Sequence, residues 1–514
     1  MTILDVTLGD MLMEGFVESA PLAEARVYEQ HMIRFVTDAE RPCFHLTPLV
    51  GWMNDPNGFS YYKGKYHLFY QYNPYATSWA PMHWGHAVSS DLLHWEHLPV
   101  ALAPDAPYDD FNGCFSGSAV ELADGRHLLM YTGVASDGRT ADGHVRPKQT
   151  QCLAIGDGVD YQKFEGNPVI DGSFLPNGGS TEHFRDPKVW REDDGTYRAV
   201  IANLAAEGGG QILLYRSADG LAWQPAGVLS RNKGRYGRMW ECPDLFSLDG
   251  YDVLLLSPQD MLPEGHEFYS GNGTLCIIGH VDKKTGELAE ETLSSIDNGI
   301  DFYATQTVLT PDGRRVMVAW MQNWDSITGV ARTVRLVGSM AVPRELRVRD
   351  GRLFQWPVRE LDEMRHDEVS HRGVVLGADP MALDGVSGRV VDLLLDVRPE
   401  DAANPYEELV IWFAQDERFH CSLRYRPATG TLIISREHAG SRRAFVHHRK
   451  CDIPGAPAEL SLRMVLDKNS VEVFVNGGEK AVTMTIPTEL SADGITFCVS
   501  GAAAVLDVKK YDLA

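Results

Sequence analysis

The chain has 514 residues, 44% hydrophobic and 23% charged, which exceeds what one hydrophobic core usually supports and makes two domains the expectation. A formal charge of −24 repels phosphate backbones and anionic lipid surfaces, so neither a nucleic-acid nor a membrane partner is expected. Eight cysteines run from Cys43 to Cys498 without a Cys-x-x-Cys pair, which argues for reduced thiols over a disulfide framework or a zinc site.

In chain order, the first residues lack the basic region and apolar core of a signal peptide, and no later run is long enough to span a bilayer. With the cysteine usage, this sets the cytoplasm as the expected compartment. "PLAEARVYEQHMIRFV", after Ser19, reads as a helix with Pro21 in its first turn, within an extension over residues 1–40. Next comes "GWMNDPNGF", Gly51 to Phe59, where Pro56 removes a backbone donor and Gly58 permits positive φ. A turn alone would explain Asp55 in such a run.

Five hairpins then follow: "GFSYYKGKYHLFY", "SAVELADGRHLLMY", "PKVWREDDGTYRAVI", "PDLFSLDGYDVLLL" and "QTVLTPDGRRVMVAW". Their turn glycines, Gly64, Gly125, Gly195, Gly250 and Gly313, are separated by 61, 70, 55 and 63 residues. A repeat of that size with several short strands per unit predicts a five-bladed β-propeller over residues 41–356. After "FQWPVRELDEM" a linker is expected over 357–376. Alternating strands such as "EELVIWFAQ" and "LSLRMVLDKNSVEVFVNGG" then predict a β-sandwich over 377–514, so the fold class is all-β. The sandwich shows no aromatic platform, and a structural role or homo-oligomer contact is expected of it.

The repeat changes the reading of Asp55. Nine residues before the five turn glycines stand Asp55, Ser116, Asp186, Glu241 and Ala304. Equivalent positions at the start of the innermost strands face one end of a propeller's channel, so this register brings three acids to one pocket. Unrelated turns would share no register.

Two carboxyl groups flanking a bond suit glycoside hydrolysis, and a third can grip sugar hydroxyls. Aromatic residues that could stack on a sugar are dense nearby: Trp52, Trp79, Trp84, Trp95 and Phe115. Trp95 and Trp223 end the similar runs "SSDLLHW" and "SADGLAW", which makes blade packing the better account of both. Clustered acids also suit a hard cation. Arg185 beside Asp186 would repel one, so no metal and no cofactor is expected. No P-loop or dinucleotide fingerprint occurs, "GGG" at Gly208 to Gly210 has the wrong spacing, and Cys242 reads as a small pocket-wall residue.

At these residues the sequence resembles glycoside hydrolase family 32, the invertases and β-fructofuranosidases. "WMNDPNG", "FYQYNP", "FSGS", "FRDPKVW", "WECPDLF" and "DFYATQ" match that family's motifs in order, and the likeness runs from Cys43 to the carboxyl end. The resemblance implies a five-bladed propeller followed by a β-sandwich. It makes Asp55 the nucleophile, Glu241 the general acid and base, and Asp186 the transition-state stabiliser. It lines the fructose subsite with Trp52, Asn54, Gln71, Trp79, Phe115, Ser116, Arg185 and Trp320. Thr305 departs from the family's usual Pro. The implied reaction is retaining cleavage of terminal β-D-fructofuranosides through a covalent fructosyl-enzyme, with the two carboxyl groups roughly 5–5.5 Å apart.

Two alternatives stand beside this: an arabinosidase-like furanosidase of the five-bladed group, and a propeller lectin. Lectin blades repeat their binding residues, whereas the equivalent positions here carry Asp, Ser, Asp, Glu and Ala. The sequence leaves the leaving group open among glucose, glucose 6-phosphate and short fructo-oligosaccharides. Arg139, Arg146 and Lys148 could meet a phosphate, but a solvated loop explains them better.

Overall fold

The computed structural model describes residues 16–176, 178–327, 334–440 and 446–513. The N-terminal helix spans Ala20–Met32; Ser19 caps it by accepting the Leu22 N–H, and Pro21 lies in its first turn. Its buried stripe of Leu22, Ala25, Arg26 and Glu29 follows helical spacing and packs on the outer strand of the first blade, Trp95–Leu102.

Five antiparallel sheets form the propeller. Their innermost strands are Gly51–Tyr62, Gly113–Glu121, Phe184–Arg191, Trp240–Leu248 and Tyr303–Leu309, and each packs against the next, the fifth against the first. A short strand from the fifth unit, Leu336–Val337, pairs in parallel with Gly51 and Trp52 and ties the ring shut. The five turn glycines share one conformation, with φ of +81°, +83°, +85°, +89° and +82°. Only glycine adopts it without strain. The runs ending in Trp95 and Trp223 fold alike: Asp91 Oδ1 accepts the N–H groups of Leu93 and His94, as Asp219 Oδ1 accepts those of Leu221 and Ala222.

The sandwich stacks two six-stranded antiparallel sheets around a continuous aliphatic core. Residues 357–376 are a correction to the sequence reading. In place of a linker they form a short helical turn, Arg359–Met364, and a strand, Arg365–Leu376, paired with the last strand of the chain, Ala504–Leu513. That strand sits at a sheet edge with most side chains in water, so "RHDEVSHRGVVL" carries no apolar alternation.

Buried charge fastens the two domains. Arg344, on the fifth blade, donates to Asp297, Gln355, Glu472 and Thr483, and its guanidinium lies over Phe302 and Phe474. His45 bridges Asp467 at 2.8 Å and Glu472 at 2.9 Å. No described helix is long and apolar enough to cross a membrane.

Candidate active site

Each innermost strand carries a break in register near its start, between Met53 and Pro56, Phe115 and Gly117, Glu241 and Asp244, and Tyr303 and Gln306, with the third facing Val200 and Ala202. Such bulges re-aim side chains. Backbone strain accompanies them: Asp186, Cys242 and Ala304 hold φ of +63°, +48° and +55°. Repeated in five blades, the device turns one position per blade toward a common end of the channel.

There the residues meet. Ser116 Oγ donates to Asp55 Oδ2 at 2.6 Å, and Asn54 Nδ2 donates to Oδ1 at 3.0 Å. Trp52 Nε1 holds the Asn54 amide from behind, at 2.8 Å. The Cys242 thiol approaches both Asp55 (3.5 Å) and Asp186 (3.8 Å), and the Cys242 N–H donates to Asp186 at 3.0 Å. Arg185 reaches Glu241 Oε1 through Nε at 2.9 Å and Nη2 at 2.8 Å, and lies 3.9 Å from Asp186. Tyr303 Oη and Gln259 Nε2 donate to the other Glu241 oxygen, at 2.7 and 2.8 Å.

The acids influence one another. Burial, then the charge of Glu241, raises the Asp55 carboxyl above its usual range, against the donors Ser116, Asn54 and Cys242. Burial pushes Asp186 up to about 7, with Arg185 opposing and Glu241 and Asp55 adding to the rise. Protons in such a cluster belong to the group of acids. Burial together with the neighbouring acids pushes the Cys242 thiol far up, which leaves it a neutral donor and no nucleophile.

The eight expected lining residues fall into three sets. Trp52, Asn54, Ser116 and Arg185 contact the acids or hold a residue that does. Trp79, 40% exposed, and Phe115 pack edge to face at 6.0 Å and form a rim wall. Gln71 and Trp320 are buried: the Gln71 amide donates to the Cys114 carbonyl, and Trp320 packs against Trp52 and Trp324. Trp84 lies wholly in the core. Sequence reasoning missed Tyr303, Gln259 and Trp324. For Tyr303 a signal existed, since it precedes Ala304 as Arg185 precedes Asp186. Arg139, Arg146 and Lys148 lie exposed on the long second-blade hairpin, where Arg139 donates to the Gly143 carbonyl and Arg146 faces Asp137 at 3.6 Å.

Comparison with known proteins agrees with this geometry. The N-terminal domain model of glycosyl hydrolases family 32 matches residues 45–357, and the C-terminal model of that family matches residues 360–512. A raffinose invertase of Escherichia coli is 37% identical over 90% of this chain and 93% of its own length. A sucrose-6-phosphate hydrolase of Escherichia coli is 36% identical over 96% of this chain and 98% of its own. Among solved structures, a family 32 β-fructofuranosidase of Bombyx mori superposes with a TM-score of 0.80 at 33% identity, covering 96% of this chain and 97% of that one. A variant of the same enzyme in complex with sucrose gives 0.81 at 32%, covering 97% of this chain and 99% of that one. A continuous match across both domains, joined to a channel end that gathers three acids, leads to one conclusion: the chain belongs to glycoside hydrolase family 32.

Proposed function

We propose that the chain is a retaining β-fructofuranosidase in which Asp55 is the nucleophile, Glu241 the general acid and base, and Asp186 the group that grips fructose hydroxyls as charge develops. The observation that carries it is the pairing of Asp55 and Glu241 with different partners. Asp55 faces small neutral donors, Ser116, Asn54 and Cys242, which leave its oxygens free to approach carbon. Glu241 is held firmly by Arg185, Tyr303 and Gln259.

In the first half-reaction the Glu241 proton passes to the glycosidic oxygen as its bond to the anomeric carbon breaks. Asp55 bonds that carbon and the aldose departs. In the second, water attacks the same carbon, its proton passes to Glu241, and the bond to Asp55 breaks. The four donated contacts around Glu241 fit the carboxylate form that this second step needs. Two inversions return the original configuration.

The substrate is a terminal β-fructofuranoside small enough for uptake, and reduced thiols support action in the cytoplasm. Family 32 membership and the sucrose-bound relative favour fructose over arabinose and turnover over lectin binding. Initial fructose release from sucrose, sucrose 6-phosphate, raffinose and 1-kestose, with an aryl arabinofuranoside as control, tests this and identifies the leaving group. Asp55→Asn is expected to abolish turnover with the circular dichroism spectrum intact; near wild-type activity removes Asp55 from the mechanism. Glu241→Ala is expected to lose far less activity on an aryl fructoside than on sucrose.

A further inference from the structure

Two of the donors that hold Glu241 lie on segments pinned by the sandwich. Tyr303 begins the fifth innermost strand, and two residues upstream Asp301 is 1% exposed at the domain boundary. Its Oδ2 accepts from Arg436 Nη1 at 2.7 Å and from the Thr485 N–H and hydroxyl at 2.8 Å each, all from the sandwich. Its Oδ1 accepts from Ser326 Oγ at 2.5 Å. Ser326 closes the turn bearing Trp324, which stacks on Trp52 at 6.0 Å, and Trp52 holds the Asn54 that donates to Asp55. Gln259 opens a second such segment, in which Tyr269 Oη donates to the Lys450 carbonyl at 2.8 Å and accepts from its N–H at 2.6 Å. One buried carboxylate thus receives three sandwich donors on one oxygen and an active-site turn on the other.

We propose that Arg436 is a positioning residue for Glu241: through Asp301 the sandwich fixes Tyr303 and thereby the orientation of the acid. The C-terminal domain is then part of the catalytic apparatus as well as a partner in stability. Small displacements of a catalytic group cost rate steeply, so a loosened Tyr303 acts mainly on proton transfer to the leaving oxygen. This rests on Glu241 being the acid.

The test compares Arg436→Met, Arg436→Lys and Arg389→Met on sucrose and on an aryl β-fructofuranoside whose leaving group needs no proton. Arg389 is buried in the sandwich and, among the described residues, donates to Thr488, Glu489, Ala492 and Lys468, all of the sandwich, so its loss destabilises that domain without removing a direct contact to the propeller. Arg436→Met is expected to lower kcat on sucrose about tenfold to hundredfold with KM within about threefold, and to lower kcat on the aryl substrate several-fold less. Arg436→Lys is expected to recover part of the loss, and Arg389→Met to keep wild-type kcat at a comparable fall in Tm. Equal losses on both substrates, a loss shared by Arg389→Met, or no loss overturns the proposal. Should Arg436→Met fail to fold, Thr485→Val removes one hydroxyl from Asp301 and keeps the ion pair. The same leaving-group pattern at smaller size supports positioning there, and an unchanged pattern overturns it. Glu241→Ala on the same two substrates separates the outcomes: equal loss there removes the acid role itself, whereas unequal loss there with equal loss in Arg436→Met removes only the positioning.

Discussion

At the scale of single residues, Thr305 is the clearest mismatch between side chain and setting. It lies in the bulge of the fifth innermost strand, fully buried, and its hydroxyl has no hydrogen-bond partner among the described residues. A buried unsatisfied hydroxyl costs stability that a methyl of the same shape does not. Thr305→Val is therefore expected to stabilise the protein by about 1 kcal/mol, read as a higher urea midpoint at unchanged slope. A lower midpoint refutes this account. The acids were legible because each combines a chemically conspicuous side chain with a fixed offset from a turn glycine. Tyr303 and Gln259 were not singled out, because a tyrosine or glutamine in a β-rich chain has many uses. Only the folded contact with Glu241 separates this use from the rest.

At the scale of elements, blades were legible because their turns demand glycine at positive φ and their strands alternate. Five sandwich strands were not: Arg365–Leu376, Met381–Ser387, His448–Asp452, Lys480–Thr485 and Ala504–Leu513. Four are the edges of the two sheets, and three of these, Arg365–Leu376, Met381–Ser387 and His448–Asp452, bury a single side chain each, which weakens the apolar signal there. Blade packing also hides a titratable cluster. His67, His86 and His127 are buried between the first two blades, with His67 Nδ1 3.0 Å from His86 Nε2 and the His86 ring stacked 3.9 Å from Phe69. Burial pushes His67 down to about 4 and takes the other two well below their ordinary value. The unfolded chain then binds more protons below its histidine value of about 6.5, so stability falls as pH drops from there toward 4. Urea midpoints are expected to fall steeply in the wild type as pH drops from about 6.5 to 5. His86→Gln is expected to fall less, by roughly 1.4 kcal/mol per pH unit. Identical slopes refute the assignment.

At the scale of the whole molecule, the domain junction responds to pH in the opposite sense. His45, in the segment leading into the first blade, sits between Asp467 and Glu472 of the sandwich, and Glu472 also receives Arg344. Burial works against its charge, but the two carboxylates prevail and hold it up at about 9. A folded value above the unfolded one means stability that is complete below about pH 6.5 and is lost as pH rises through 9. Loss of that proton leaves Asp467 and Glu472 buried with one cation fewer, and breaking a buried charge cluster is costly. The junction rather than the blades should therefore yield first in alkali. Amide hydrogen exchange at pH 9.5 is expected to accelerate first in the strands around Asp467 and Glu472. In His45→Gln, already deprived of the charge, Tm is expected to be lower at pH 6 and nearly independent of pH between 6.5 and 9. A wild-type Tm equally flat across that range removes His45 from the junction's energetics. If instead the junction opens while Asp301 still holds Arg436, activity should outlast the exchange protection. The two domains would then be joined by separable contacts, one for stability and one for the geometry of the site.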